Sequence, residues 1–484
     1  MSRQARCALG LFLLLQGVLL GLASGRARTI DEHSLHFMAE SWAARGSFAV
    51  PQLRSLGSFY GKTSQQAEPY APYSPGQPVV SAMYLQALGP GFRSAAPRPE
   101  GESMLFANQA ATSVLNTTLT AAMAAFFLMA LFGVGIAVKD ALVATVLLIV
   151  STPLLSYSKY GFSEPFLALL GTVVLLGLIT WDRGDSRGLW LAGLGSGLAV
   201  GVKLAVGGLL AGACGIALLS RAEGRTWRNL RHFALIPAIA LALHFIWNFV
   251  RFGDPLDLGY PAAAEMGRRL NDFDSPLLVG LFGLLLSPGK GLLFFAPGAI
   301  VACLGLRAAF RASPSATVCG AVFLVSSLLL YARYSAWEGG YCVGPRYLLP
   351  ALPFLWLGLP FLLQTKWKRL VLLVCLVGCV AQIPALTTSF TEDQIIGGRY
   401  YDASYHYRLD FTPAGHWALA LRYLPGLLNG EAWDQPLGLG LDFWFIFLVR
   451  AEFSRSLILS WFLISMACAG AGWWMLRRDA NRDV

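Results

Sequence analysis

Two acidic residues, Asp31 and Glu32, stand side by side just after an apolar run from Cys7 to Ser24. A third, Glu164, closes the stretch Tyr157-Ser158-Lys159-Tyr160-Gly161-Phe162-Ser163-Glu164-Pro165, between two more apolar runs. A carboxylate at the edge of such runs is costly to keep charged, which marks it as a functional candidate. Cations recur in similar settings. Lys62 comes ahead of Tyr73 and Ser74-Pro75-Gly76-Gln77-Pro78, and Lys290 sits in Ser287-Pro288-Gly289-Lys290-Gly291. Arg333 and Arg346 bracket a segment that also holds Trp337 and Glu338, with Tyr347 next to Arg346. Bases beside glycine turns suit an anion, because glycine lets backbone N–H groups approach closely and arginine grips phosphate oxygens in a fork. A carboxylate can take the proton of an attacking hydroxyl and can stabilise developing oxocarbenium charge. The set therefore suits transfer of a sugar from a phosphate leaving group to a hydroxyl. Each residue also has an ordinary structural role open to it. Asp31 and Glu32 can open a helix, Lys159 can pair with Glu164, and the bases can reach lipid headgroups.

The elements that must position these residues are apolar. The chain has 484 residues, 56% hydrophobic and 13% charged, with mean hydropathy +0.56. Soluble domains are about 25% charged, so too little polar surface is present to coat a water-soluble globule. Membrane-crossing helices need about 20 apolar residues. After the first run, which reads as a span or as a signal peptide, further runs lie at about 104–138, 140–156, 165–181, 189–219, 233–250, 277–306, 315–331, 347–363, 369–386 and 456–476. The 189–219 run is too long for one crossing, and Lys203 with Gly207-Gly208 reads as the point where two helices meet. The 277–306 run is broken at Ser-Pro-Gly-Lys-Gly, which predicts an edge helix, a turn and then a span. The fold class is an all-α polytopic bundle of about a dozen transmembrane helices.

Charge gives the sidedness. With the N-terminus in the cytoplasm, the inside segments carry 17 Lys and Arg against 6 acids, and the rest carries 20 bases and 21 acids. This satisfies the positive-inside rule, with both termini cytoplasmic and the candidate residues on the outer face. Two outer segments exceed simple connectors, about 25–103 and 387–455. In the first, Leu35, Met38 and Trp42 share a helical face and Gly46 stops the helix, so a surface helix running to Arg45 is expected. In the second, Tyr400, Tyr401, Tyr405, Tyr407, His416 and Trp417 suit an aromatic belt or sugar stacking. The eight cysteines show neither a disulfide framework nor a zinc spacing. His33 and His36 near Asp31 raise a metal reading, although such residues are more often surface polar side chains beside a lipid headgroup.

In order, the Asp-Glu pair opening a helix after the first span, Lys62 with its Gly-Pro segment, and the Ser-Lys…Ser-Glu-Pro link resemble the C-type (GT-C) glycosyltransferases. Within these the likeness is to the branch of protein O-mannosyltransferases and lipid A aminoarabinose transferases. Ser-Pro-Gly-Lys-Gly at 287–291 and Gly-Pro-Arg-Tyr-Leu-Leu-Pro at 344–350 resemble motifs of its bacterial members, so the likeness runs from Asp31 to about Trp444. The resemblance implies that Asp31 matches the catalytic aspartate, with Glu32 beside it. It puts Glu164 at a second acidic position where many relatives have aspartate, and Lys62 near the lipid phosphate, without the Lys-Pro-Pro of many relatives. It also implies a polyprenyl-phosphate sugar donor, transfer with inversion, a lipid, glycan or protein acceptor, and no obligatory cofactor, with a divalent metal the lesser alternative.

The expected site is thus Asp31, Glu32 and Glu164 as catalytic acids. Lys62, Lys290, Arg333 and Arg346 hold the donor phosphate, and Lys159, Tyr73, Trp337, Glu338 and Tyr347 line the substrate. The expected organisation is a catalytic transmembrane module over 1–386 that includes the first loop, an outer Tyr/Trp-rich segment over 387–455, and a last helix and tail over 456–484. The rival classes are a lipid-linked sugar flippase or small-molecule transporter, and a non-catalytic assembly partner.

Overall fold

The computed structural model describes residues 1–56, 61–98, 100–260, 273–388, 411–428 and 442–480. Their regular structure is helical apart from one short hairpin, in which Lys62–Thr63 (β1) pairs antiparallel with Pro69–Tyr70 (β2). Among the described residues, seven helices are long and apolar enough to cross a membrane: Arg3–Leu22, Glu102–Gly133, Glu164–Asp182, Trp227–Phe252, Pro314–Arg333, Lys368–Thr387 and Arg455–Arg478. The chain is a polytopic membrane protein, and the predicted spans at these places are present.

Other apolar runs are broken. Val138–Val150 is only 13 residues long and gives way to a single turn at Leu154–Tyr157. The 277–306 run becomes Leu277–Leu286, the turn at 287–291, and then the short pieces Leu292–Phe295 and Pro297–Ala302. The expected span after the turn is therefore a broken helix, interrupted before Pro297, which has no amide hydrogen to continue the ladder. The 347–363 run divides in the same way, into Arg346–Ala351, Leu352–Trp356 and Leu359–Leu363, around Pro350, Pro353 and Pro360. Hydropathy alone cannot see these breaks. The 189–219 run is two helices, Arg187–Val202 and Leu204–Leu219, meeting at Lys203 as expected.

The first and last helices pack tightly. A Cβ at Gly472 would lie 2.2 Å from the Leu14 amide nitrogen, and one at Gly17 would lie 2.4 Å from the Ser465 carbonyl oxygen. Only a missing side chain permits these approaches, the usual device for close helix pairs in a bilayer.

The first long connection is structured. We call Ile30–Arg45 α1 and Gly76–Ser94 α2, and the following long helix Glu102–Gly133 α3. Thr29 opens α1 with a capping box, and Gly46 closes it in the left-handed region at φ 65°. Helix α1 is not a simple amphipathic surface helix. Leu35, His36, Met38, Ala39 and Ser41 are all buried, so the helix is wedged between neighbours, while Trp42 keeps an exposed face. The Glu164–Asp182 helix, α4, begins at the same end of the bundle as the N-terminus of α1, because Glu32 accepts a hydrogen bond from the Gly161 amide at 2.6 Å.

Candidate active site

The first turn of α1 sends its two acids in different directions. Glu32 turns inward and is 2% exposed. Its Oε2 accepts from the amides of Arg28 (3.1 Å) and Thr29 (2.9 Å), and its Oε1 from Gly161. Glu32, expected among the catalytic acids, is engaged by backbone amides at both carboxylate oxygens. Its carboxylate is occupied in fixing the helix start and tying it to the loop before α4.

Asp31 turns the other way and keeps a 25% exposed side chain. The Tyr73 hydroxyl donates to its Oδ1 at 2.7 Å, and Arg346 reaches its Oδ2 at 2.8 Å. The same guanidinium donates through Nε to Glu164 Oε1 at 2.9 Å and lies 4.1 Å over the Phe162 ring. Lys203 is the second cation on Glu164, with its Nζ 3.4 Å from Oε1. Asp31, Arg346, Glu164 and Lys203 thus form a chain of alternating charge. Burial opposes charge on Asp31, but Arg346 and the Tyr73 hydroxyl outweigh it and hold the carboxyl below its usual value of 3.8. Burial and the facing Asp31 carboxylate push the Tyr73 phenol well above 10, so it stays a donor.

Tyrosines wall one side. Tyr347 stacks on Tyr331 with ring centres 4.1 Å apart and planes within 2°, and Tyr334 meets Tyr347 edge-on. Lys203 Nζ lies 5.1 Å from the Tyr347 centroid and 5.9 Å from that of Tyr331, within cation–π reach.

The remaining expected residues lie with other partners. Lys62, in β1, pairs with Asp257 and faces the Phe252 ring. Lys290 is buried and donates to the carbonyls of Gly340 (3.0 Å) and Cys342 (2.5 Å), which ties the turn to the loop before Arg346. Arg333 is exposed at its helix end, where its carbonyl accepts from the Ser275 amide. Trp337 is buried with its ring against Gly283, and the Glu338 carbonyl accepts from the Cys342 thiol. Lys159 does not pair with Glu164. It meets Asp442 Oδ2 at 2.8 Å and donates to the Leu386 and Asp442 carbonyls, while Arg28 also grips Asp442. Burial lowers the Lys159 ammonium to about 8 despite that carboxylate. His36 pairs with Glu40 at 3.2 Å and His33 contacts Gln109, away from the partners of Asp31. No group of three metal-ligating side chains occurs among the described residues.

The structure therefore brings together Asp31, Glu164, Arg346, Tyr73 and Tyr347. It adds Lys203, Tyr331 and Tyr334, which the sequence reading left out. A signal for Lys203 existed: it is the one cation inside a 31-residue apolar run, at the expected helix break. Tyr400, Tyr401, Tyr405 and Tyr407 lie outside the described residues. His416 is buried near the Phe295 ring, and the Trp417 indole donates to the Val380 carbonyl.

Comparison with known proteins agrees with the motifs. Residues 88–252 match the family described as dolichyl-phosphate-mannose-protein mannosyltransferase. No curated protein matches the chain. Among solved structures it is similar to ArnT from Cupriavidus metallidurans bound to undecaprenyl phosphate, at 14% identity, over 97% of this chain and 76% of that one, with TM-score 0.50. The apo structure of the same ArnT aligns over the same shares at 13% identity and TM-score 0.48. The fold is that of the GT-C integral-membrane proteins. Within that fold, residues 88–252 carry the likeness to the protein mannosyltransferase family. The matched stretch includes Glu164 and Lys203 but neither Asp31 nor Arg346.

Proposed function

We propose that the chain is a glycosyltransferase that moves a sugar from a polyprenyl-phosphate-linked donor to a hydroxyl of a lipid, glycan or protein. The reaction takes place at the outer face of the cytoplasmic membrane. The observation that carries this reading is the carboxylate pair bridged by one arginine, Asp31–Arg346–Glu164. It sets a base and a phosphate-binding group within one side chain's reach of each other. Similarity to a family that uses a lipid-phosphate donor supports the donor class, and so does the undecaprenyl phosphate held by ArnT.

In this reading Asp31 is the base. Its side chain is 25% exposed whereas that of Glu164 is 1% exposed, so a hydroxyl reaches Asp31 first. The acceptor oxygen attacks the anomeric carbon and its proton passes to Asp31. The bond from that carbon to the phosphate oxygen breaks, and its electron pair leaves with the polyprenyl phosphate. A single displacement of this kind inverts the anomeric centre. Arg346 meets the departing phosphate, and phosphate needs no proton donor to leave. Glu164 orients Arg346 and Lys203. Lys62 pairs with Asp257 and Lys290 ties its turn to the Gly340 and Cys342 carbonyls, so in this reading the phosphate falls to Arg346. No cofactor enters these steps, and the positive-inside charge balance supports the outer-face placement.

The test is transfer of labelled sugar from a polyprenyl-phosphate donor in membrane vesicles, with Asp31→Asn as the variant. Loss of product with normal insertion supports the reading. Undiminished transfer removes Asp31 as the base, and movement of the donor across the bilayer without product favours a flippase.

A further inference from the structure

Asp31, the proposed base, is engaged at both oxygens: Tyr73 donates to Oδ1 and Arg346 to Oδ2. A hydroxyl that arrives alone must compete with a guanidinium for its proton acceptor. Arg346 is in turn anchored on its other side, through Nε on Glu164. The resting cluster is balanced, with two acids and two bases in alternation.

Lys203 is the loose end of that chain. Its side chain is 27% exposed, against 9% for Arg346 and 1% for Glu164. Its 3.4 Å contact is the longest of the three ion pairs. It sits where two helices break apart, with an extended backbone at φ −155° and ψ 105°. Its ammonium lies over the stacked Tyr331–Tyr347 pair, an apolar wall beside a cation. That is the setting for a phosphate carrying an apolar or sugar substituent.

We propose that the donor phosphate lands on Lys203 and in doing so draws Arg346 away from Asp31, so that the base is released only when the donor is in place. This rests on the reading of the chain as a transferase using a lipid-phosphate sugar. The driving force is exchange of one anion for another. A guanidinium binds phosphate oxygens in a bidentate fork, and an incoming negative charge unbalances a neutral cluster. Transfer strengthens the effect, because the donor phosphodiester carries one charge and the departing monoester approaches two. Arg346 therefore stays with the leaving group while Asp31 holds the acceptor's proton. When the lipid phosphate departs, Arg346 returns to Asp31 and its charge drives the proton from the carboxyl to solvent water, which resets the base. The ordering has a use: a base already free when the donor enters would activate water against it. Lys203 and Arg346 act here on the donor, whereas Glu164 is a positioning residue.

The experiment measures the state of Asp31 directly on the purified full-length protein. A hydrophilic carbodiimide with an amine modifies protonated, accessible carboxyls at mildly acidic pH, and peptide mass spectrometry reads Asp31, with Asp31→Asn as background. The probes are undecaprenyl phosphate and, as the phosphate-free control, undecaprenol. Undecaprenyl phosphate should raise Asp31 modification about tenfold, the change produced by one pKa unit, and undecaprenol should not. Lys203→Met should abolish the rise and weaken lipid-phosphate binding about tenfold, as loss of one charged contact implies, with Lys203→Arg restoring both. In turnover assays, Lys203→Met should raise KM for the donor more than it lowers kcat. Unchanged or reduced Asp31 modification with lipid phosphate demonstrably bound by native mass spectrometry overturns the latch and leaves the transferase reading standing. Failure of the protein to bind the lipid phosphate at all, with no sugar transfer, overturns both.

Discussion

At the scale of single residues, the site depends on how two adjacent acids differ. Asp31 and Glu32 are one residue apart, hence about 100° apart around a helix. One turns toward a tyrosine and an arginine, and the other into the backbone of its own helix start. Asp31→Asn should lower kcat by about 10²–10⁴-fold, the usual share of a general base, in a transfer assay normalised to inserted protein. The acid limb of the wild-type pH–rate profile should not come from Asp31 near neutrality, since its native pKa is held below 3.8. A depressed carboxyl stabilises the fold above its unfolded value and loses that contribution as pH falls through the native one. The difference in unfolding stability between wild type and Asp31→Asn should therefore be full at pH 6 and begin to shrink only as pH falls below the ordinary carboxylate value. The Asp-Glu pair was legible in the sequence as a candidate, but the division of labour was not. Pairing of Asp31 with Arg346 joins residues 315 positions apart, and no local spacing encodes that.

At the scale of elements, the helix α1 start is the positioning device. Thr29 caps it, Glu32 completes the box, and Gly161 bonds to Glu32 from the loop that leads into α4. Thr29→Ala should cost about 1 kcal/mol, the usual value of an N-cap, read as a lowered unfolding midpoint. Sugar transfer should fall with it, because Asp31 rides on the same turn. Capping residues and the stop at Gly46 were legible, since they are local chemistry. The burial of α1 on several sides was not. Its sequence suggested one apolar face on a membrane surface, while its small residues Ala39 and Ser41 allow neighbours to close over the rest. A second device lies outside the Asp31–Arg346–Glu164 cluster. Asp442 is gripped by Arg28 and Lys159, all with nearly dry side chains, which ties the segment after residue 441 to the loop before α4. Asp442→Asn removes the anion from two buried cations and should destabilise by about 3–5 kcal/mol, seen in thermal unfolding of the purified protein.

At the scale of the whole molecule, the first helix and the last form one wall of the bundle through glycine contacts. Gly472→Leu should lower the yield of folded protein by overpacking, at a cost of about 1–3 kcal/mol, measured by size-exclusion of detergent extracts. Its residual specific activity per folded molecule should stay near wild type, because the contact is with Leu14 rather than with the site. The charge balance makes a further prediction about orientation. In a cysteine-free background, Gln66→Cys should react with an impermeant maleimide from the outer face, and Arg225→Cys only after the membrane is opened. What the sequence determined by itself is the membrane class, the place of most long helices, the helix break at Lys203 and the acids worth testing. Those follow from composition, hydropathy and capping chemistry, which act over a few residues or over the whole chain. What only the tertiary structure decided is which charges meet. Lys62 and Lys290 looked equivalent to Arg346 in sequence, yet they pair with Asp257 and with backbone carbonyls, and Lys159, expected beside the substrate, pairs with Asp442. Ion pairing is set by distance in space, and partners such as Lys62 with Asp257 or Lys159 with Asp442 stand so far apart along the chain that no local spacing records them.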